Sequence, residues 1–280
     1  MLSAPISSLC EVQNGNLNIL DLSNNQLSSL IPDSCLMHFE GLLILNLENN
    51  HFDGKIPSSV GFLHKIVTLD LGNNNFSGKL PSSLKNCTKL IFFNLKQNDL
   101  SGQIPMWLGI SHPNLVVPIP RSNHFYGAIL THLCHLAHLQ ILDLALNQIL
   151  GSMPKCLNNL TALTQKGSPN ATISHSYKTH VSYLPFNFLY VDHMFFMWKG
   201  KEHEHKNILG LLKSIDPSSN NLTGRIPGEI VELVGLVSFN LLRNHLTGQI
   251  TSEIDMLQSL DALDLSKNQL AGGIPSSLSY

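Results

Sequence analysis

The sequence predicts an α/β solenoid. Short coils stack side by side, with one parallel β-sheet along a concave face and mostly loops and short 3-10 or helical turns on the convex side. Three observations predict it. The pattern LxxLxLxxNxL, first seen from Leu17 to Leu27, occurs nine times. Its asparagines (Asn25, Asn50, Asn74, Asn98, Asn123, Asn147, Asn220, Asn244, Asn268) fall 24 or 25 residues apart, with a single gap of 73. Five copies continue into Gly-x-Ile/Leu-Pro, at Gly54–Pro57, Gly78–Pro81, Gly102–Pro105, Gly224–Pro227 and Gly272–Pro275. A period held over so many copies is the mark of a repeat architecture, in which no coil buries its own apolar face and stability comes from stacked neighbours.

The pattern is that of a leucine-rich repeat, and it predicts a horseshoe or right-handed superhelix. In the first coil the alternating segment reads as a short strand, with Leu20 and Leu22 inward and Ile19, Asp21 and Ser23 outward. Asn25 is placed at the bend, where an amide satisfies backbone groups of adjacent coils. The glycine permits tight backbone geometry, and Ile-Pro starts the return over the convex side. Starting at Leu17, Leu42, Ile66, Leu90, Leu115, Leu139, Leu212, Leu236 and Leu260, the coils are numbered here repeats one to nine.

Some copies depart from the template. Repeat five places Pro118 and Pro120 at both inward strand positions, and repeat seven places Pro217 at one. Proline removes a ladder donor and is disfavoured in interior strands. Ser29 replaces the glycine of repeat one, and Leu130 and Thr251 stand where most copies have proline. Two readings are open: local irregularity that the stack tolerates, or a copy that has drifted and folds less well.

The gap of 73 exceeds one period by 49 residues, so the organisation expected is repeats one to six over 1–157, a non-repeat island over 158–206, and repeats seven to nine over 207–280. The island holds eight of the 19 aromatics: Tyr177, Tyr183, Phe186, Phe188, Tyr190, Phe195, Phe196 and Trp198. That composition argues for a folded element packed on the solenoid rather than a linker. Tyr190–Trp198, then Lys199-Gly200-Lys201, then Glu202–Lys206 reads as a hairpin with a glycine turn.

Composition excludes several classes. With 17 Lys+Arg against 19 Asp+Glu, the net charge is −2, and no basic excess exists to neutralise a nucleic acid. The most apolar windows, such as Met194–Trp198, are far shorter than the ~18–20 residues of a membrane span. The first ten residues lack the basic and long apolar regions of a secretory leader. The chain enters almost directly into a repeat and stops short of a tenth strand, which reads as an internal fragment of a longer solenoid or the product of a truncated gene. No GxSxG, Walker loop, HExxH or kinase signature is present, so no enzymatic activity and no cofactor are expected.

Of five cysteines, Cys10 and Cys35 occupy equivalent slots in neighbouring coils, and Cys134 and Cys156 also fall on neighbouring coils. Adjacent strands lie ~5 Å apart and disulfides need Cα separations near that value, so both pairs are disulfide candidates. Cys87 is left free. Asn-x-Ser/Thr triplets start at Asn75, Asn86, Asn159, Asn170 and Asn221, the glycosylation candidates. His132, His135 and His138, and separately His203 and His205, lack the ligand number and geometry of a structural zinc site, so no metal is expected.

The concave column reads Asp21, Asn46, Asp70, Asn94, Ile119, Asp143, Asp216, Asn240, Asp264. As a function it is an acidic stripe for a cationic ligand. As structure it belongs to the repeat itself and forms a solvated face, which is the reading adopted. Variable outward positions are better ligand-binding candidates: Glu48, Phe92, Lys96, Arg121 and Leu242, with Tyr190, Trp198 and Lys199 on the island. Extended concave surfaces are what solenoids bind with, and exposed aromatics and arginine suit interface anchors.

With its GxIP halves, the repeat resembles the plant-specific class of leucine-rich repeats. The segment Met197-Trp-Lys-Gly-Lys-Glu-His203, followed by Ile208–Asp216, resembles the island of plant leucine-rich-repeat receptor-like proteins, nearest the group of fungal-xylanase elicitor receptors. The resemblance implies an extracellular recognition region at the plasma membrane, acting in defence or development. It implies a peptide, glycan or microbial protein as ligand and a receptor kinase co-receptor as partner. In that family an acidic stretch, a membrane helix and a short tail follow the last repeats; here three repeats follow the island and none of these is present. Two alternatives are a secreted inhibitor of cell-wall-degrading enzymes, which lacks an island, and a truncated nonfunctional receptor fragment.

Overall fold

The computed structural model describes residue 10 and residues 16–129, 131–166 and 212–278, together with the backbone of four strands at 174–181, 184–191, 194–198 and 201–205. Leu20, Leu45 and Leu69 lie in register behind a common parallel ladder, Leu20 opposite Leu45 and Leu45 opposite Leu69. One apolar core runs the length of the array, from Leu27 through Leu69, Phe93 and Leu142 to Phe239 and Leu257. Burying each such side chain contributes about 1.5–3 kcal/mol, and each is buried only because a neighbouring coil covers it. Convex turns such as Ser58–Phe62, Ser82–Asn86 and Lys155–Asn159 are single 3-10 turns.

The repeat asparagines form the cross-link between coils. Asn74 Nδ2 donates to the Leu47 carbonyl of the preceding coil at 2.9 Å, and its Oδ1 accepts the Phe52 N–H at 3.0 Å. The same pair of bonds recurs at Asn50, Asn98, Asn123 and Asn147 and on to Asn268. Asn220 makes it across the insert, to Leu144 and Ile149 of repeat six.

Three features differ from the sequence-based expectation. First, the concave sheet is not continuous. Among the described residues it is a five-stranded sheet ending at Val117–Ile119 and a four-stranded one beginning at Ile141–Asp143. In regular coils the N–H at the second inward position crosses to the next coil, as Leu47 does to the Asp70 carbonyl at 2.8 Å and Leu95 to Ile119 at 2.9 Å. Pro120 holds that slot without an N–H, and Pro118 removes the donor two residues earlier. Repeat seven loses one donor at Pro217, and its pairing with repeat eight shrinks to Ser214–Ser238 and Ile215–Phe239.

Second, a further parallel sheet of nine strands runs unbroken beside the concave one, from Ser28–Leu30 to Gln269–Leu270. Its strands carry the asparagine-to-glycine half of the repeat, and the glycine takes a left-handed φ, +78° at Gly78. Leu150 pairs with Asn221 in this sheet, and Leu142 with Ile215 in the concave one, so repeat six stacks directly on repeat seven.

Third, the coil continues past residue 158, the expected start of the island. Leu160 and Leu163 enter the core, and the Leu163 N–H donates to Leu160 as Leu236 does to Leu233. Leu163 thus fills the slot expected for Leu212, and Leu212 sits on the concave side with Phe92, Val117, Ile119 and Ile141. The Lys213 ammonium donates to the carbonyls of Ala162 at 2.7 Å and Gln165 at 2.5 Å, tying the chain's exit from the array to its return.

Candidate ligand-recognition face

Every concave strand but that of repeat five, which has Ile119 in the column, ends in a tight turn set by its column residue. The Asp or Asn side chain accepts the N–H two residues on: Asn46 from Glu48, Asp70 from Gly72, Asp143 from Ala145, Asp216 from Ser218. The next residue takes a left-handed φ between 51° and 57°, as at Asn49, Asn73, Ser122 and Lys267. The column therefore belongs to the repeat, as adopted from the sequence. Its solvated character is corrected, because Asn46, Asp70, Asn94, Asp143 and Asp216 are buried and only Asp21, at one end, is exposed.

The expectation that Glu48, Phe92 and Lys96 are exposed anchors is overturned as well: they are 2 %, 1 % and 3 % exposed. Phe92 joins the second apolar cluster, against Val117, Ile119, Ile141 and Leu212. Glu48 and Lys96 form an ion pair at 3.7 Å although a whole coil separates them. That coil carries Gly72 at the equivalent position, where even a Cβ meets Asn94 Nδ2 at 2.7 Å. Burial, and then the Glu48 carboxylate, push Asp70 well above the usual carboxylate range.

Arg121 is largely buried and repeats the device. Its guanidinium lies 3.3 Å from Asp143 and 3.4 Å from Asp216, one and two coils away. Repeat six carries the small Ala145 at the intervening position, and Arg121's own coil has Ile119 where others have Asp or Asn. Burial, followed by the Asp216 carboxylate, raises Asp143 to about 7, against the opposing pull of Arg121. The centre of the concave face is thus a packed layer of two charge clusters around an apolar cluster. Leu242, further along, is half-buried.

On the island, the hairpin strands are Met194–Trp198 and Lys201–His205, paired antiparallel with Trp198 opposite Lys201. The strand expected from Tyr190 to Trp198 is two strands, because Tyr190 lies in Leu184–Val191 and pairs with His175. Lys199 and Asn170 lie outside the described residues. The other glycosylation candidates are exposed: Asn75 and Asn221 on the long sheet, Asn86 and Asn159 on the convex turns. Cys10 is bonded to Cys35 and Cys134 to Cys156, while Cys87 is a buried thiol that burial pushes up to about 12. The rings of His132 and His135 meet edge to face at 5.9 Å, and no group of three metal-capable side chains occurs among the described residues.

The pairing of repeats across both sheets decides the architecture. The chain folds as a leucine-rich-repeat solenoid. The Leucine Rich Repeat family pattern matches residues 16–36, 41–63, 65–87, 138–160 and 259–280. Among characterised proteins, Receptor-like protein EIX2 of Solanum lycopersicum is 43 % identical over 132 residues, covering 47 % of this chain and 13 % of that protein. Receptor-like protein 19 of Arabidopsis thaliana is 34 % identical over 126 residues, 45 % of this chain and 12 % of that protein. Among solved structures, the Arabidopsis receptor kinase HAESA, in complex with the peptide hormone IDA and the co-receptor SERK1, superposes with a TM-score of 0.68 at 26 % identity, covering 94 % of this chain and 40 % of that one. The plant peptide hormone receptor RGFR1, in complex with RGF2, superposes with a TM-score of 0.64 at 26 % identity, covering 91 % and 37 %. The leucine-rich-repeat chain is thus similar to plant receptor-like proteins and spans less than half the length of each of these relatives.

Proposed function

We propose that this leucine-rich-repeat chain is the extracellular recognition region of a plant cell-surface receptor-like protein, non-catalytic, which binds a peptide, glycan or microbial protein and signals through a partner receptor kinase. The observation that carries the reading is the stacking of repeat six on repeat seven through Leu142–Ile215, Leu150–Asn221 and the Asn220 amide. A rigid array that closes behind an insert presents that insert as a separate surface without losing its own register. With Glu48, Phe92 and Lys96 packed away, recognition falls to the island, including Tyr190, Trp198 and Lys199, and to Leu242 and the half-open concave positions of the last repeats. Similarity to EIX2 and to hormone-bound ectodomains supports the same reading.

The test is a membrane-anchored version of the chain expressed in leaf tissue, with receptor kinases co-purified before and after challenge with a fungal culture filtrate. Filtrate-dependent recovery of a kinase is expected, and its loss when 167–211 is replaced by a Gly/Ser linker. Equal recovery with and without both filtrate and island contradicts the reading.

A further inference from the structure

The convex turns place one side chain per coil at the same exposed position, five residues after the Pro slot. Along the array this column reads Met37, Phe62, Asn86, Ile110, His135, Asn159, Glu232, Met256, all exposed. Phe62 is 45 % and Ile110 58 % exposed. Single apolar residues scattered on a surface are ordinary, but here a phenyl ring and a branched side chain flank one polar residue of the same column, each one coil from it. The polar residue between them is Asn86, which opens the triplet Asn86-Cys87-Thr88. Its turn, Ser82–Asn86, packs between Ser58–Phe62 and Trp107–Ser111. Asn86 and Thr88 are both exposed, and Cys87 between them is buried, its Sγ 3.4 Å from the Val60 carbonyl, which holds the triplet in place.

We propose that Asn86 carries an N-linked glycan whose innermost sugars lie along the convex column and cover Phe62 and Ile110. The inference rests on the extracellular reading above. In the coupling step the Asn86 Nδ2 attacks the anomeric carbon of an oligosaccharide held on a polyprenyl pyrophosphate by the host's transferase. The new N–C bond forms as the C–O bond to the pyrophosphate breaks. The lipid pyrophosphate leaves with the electron pair, and Nδ2 gives up one proton to a base of the transferase. Neighbouring convex turns approach closely, with the Cα atoms of Cys134 and Cys156 5.8 Å apart, so a sugar pair rooted at Asn86 reaches the neighbouring coils. The apolar faces of the sugar rings then replace water over the phenyl ring and the isoleucine. Asn159 provides an internal control, because it occupies the same column position but is flanked by His135 and Glu232.

The full chain is secreted from plant cells behind an added leader, and glycopeptides are weighed by mass spectrometry. Hydrophobic-dye fluorescence and sedimentation are then compared for the wild type, Asn86→Gln, Thr88→Ala, Asn159→Gln and the triple variant Asn86→Gln/Phe62→Ser/Ile110→Ser. A glycan at Asn86 is expected. Dye signal rises severalfold and self-association appears in both Asn86→Gln and Thr88→Ala, whereas Asn159→Gln stays at the wild-type level and the triple variant returns to it. Thr88→Ala keeps the asparagine, so agreement between the two sequon variants separates glycan loss from a folding defect. Glycans at Asn75 or Asn221 with none at Asn86 overturn the inference and leave the receptor reading standing. A chain glycosylated at none of its triplets counts against both. Unchanged dye binding in Asn86→Gln, or a triple variant that still self-associates, overturns the covering role.

Discussion

Two junctions of the array make an instructive pair. Repeats five and six are contiguous in sequence, yet the concave sheet breaks between them. Repeats six and seven are separated by the insert, yet Ile141–Asp143 pairs residue for residue with Ser214–Asp216 and Asn220 reaches back to Leu144. Whether coils join depends on where backbone N–H groups remain, not on chain continuity. Pro118 and Pro120 delete two donors at the contiguous junction, while Leu144 and Leu146 keep theirs at the interrupted one, donating to Asp216 at 2.8 Å and Ser218 at 3.0 Å. Proline keeps its carbonyl, so the Pro120 oxygen still accepts from Asn123 and Asn147, and the asparagine ladder passes through the broken coil. The Gln140 N–H to the Val116 carbonyl and the Ser122 N–H to Ala145 add the remaining backbone stitches.

If side chains replace the lost ladder, removing them at the broken junction has the largest effect. Arg121→Gln leaves Asp143 and Asp216 without their shared cation and is expected to cost about 3–4 kcal/mol in denaturant unfolding. The same variant carries a pH signature. The folded pKa of Asp143, about 7, lies above that of an unfolded carboxyl, so the folded state holds the proton longer and stability falls as pH rises from about 4 through about 7. Without Arg121 the carboxyl shifts further up, so the loss between about pH 5 and about pH 8 becomes steeper. A shallower profile in the variant contradicts the assignment.

Asn147→Ala is expected to cost about 3 kcal/mol, because it orphans the Phe125 N–H and takes one of two amide donors from the Pro120 carbonyl where no concave ladder helps. Asn74→Ala, inside a fully paired region, is expected to cost about 2 kcal/mol, and equal losses would show that the ladder carries nothing. In the other direction, Pro118→Leu with Pro120→Leu is expected to raise stability by about 1–2 kcal/mol by restoring two donors facing repeat six. An unchanged or lower midpoint counts against that account. The smallest effect is expected at the interrupted junction. Lys213→Met removes the bonds to Ala162 and Gln165 and is expected to cost about 1 kcal/mol, read as faster hydrogen exchange near Leu163.

Much of this was legible in the sequence, and the exceptions have physical causes. The repeat, the inward asparagines and the Cys10–Cys35 pair follow from a period of 24 or 25, which puts equivalent residues on neighbouring coils, and Cys134 and Cys156, 22 residues apart, fall on neighbouring coils by the same count. The second sheet was missed because its strands, such as Asn75–Gly78, end in a glycine at positive φ and lack the alternation that marks a half-buried strand. The choice between Leu163 and Leu212 is hidden because the template runs on directly from Leu212 to Ile215 and Asn220, whereas Leu163 is followed by no template residue, and only the core contact separates them. Two of the buried pairs on the concave face, Glu48–Lys96 and Arg121–Asp216, join residues two coils apart, and the signal that betrays them is a small residue between: Gly72 under Glu48 and Lys96, Ala145 beside Arg121. Glu48, Phe92 and Lys96 point outward in the repeat yet are buried, Phe92 by an apolar cluster and the other two by their ion pair, since outward geometry alone does not say what lies above it.

Native-state hydrogen exchange at Leu144 and Leu146 tests the central claim most directly. If the coils close in register across the insert, Leu144 exchanges as slowly as Leu71 and Leu95, and Leu146 as slowly as Asn73 and Gln97, which make the same bonds in the uninterrupted part of the array. Exchange of Leu144 and Leu146 at the rate of an unbonded surface amide, with Leu71 and Leu95 still protected, contradicts it.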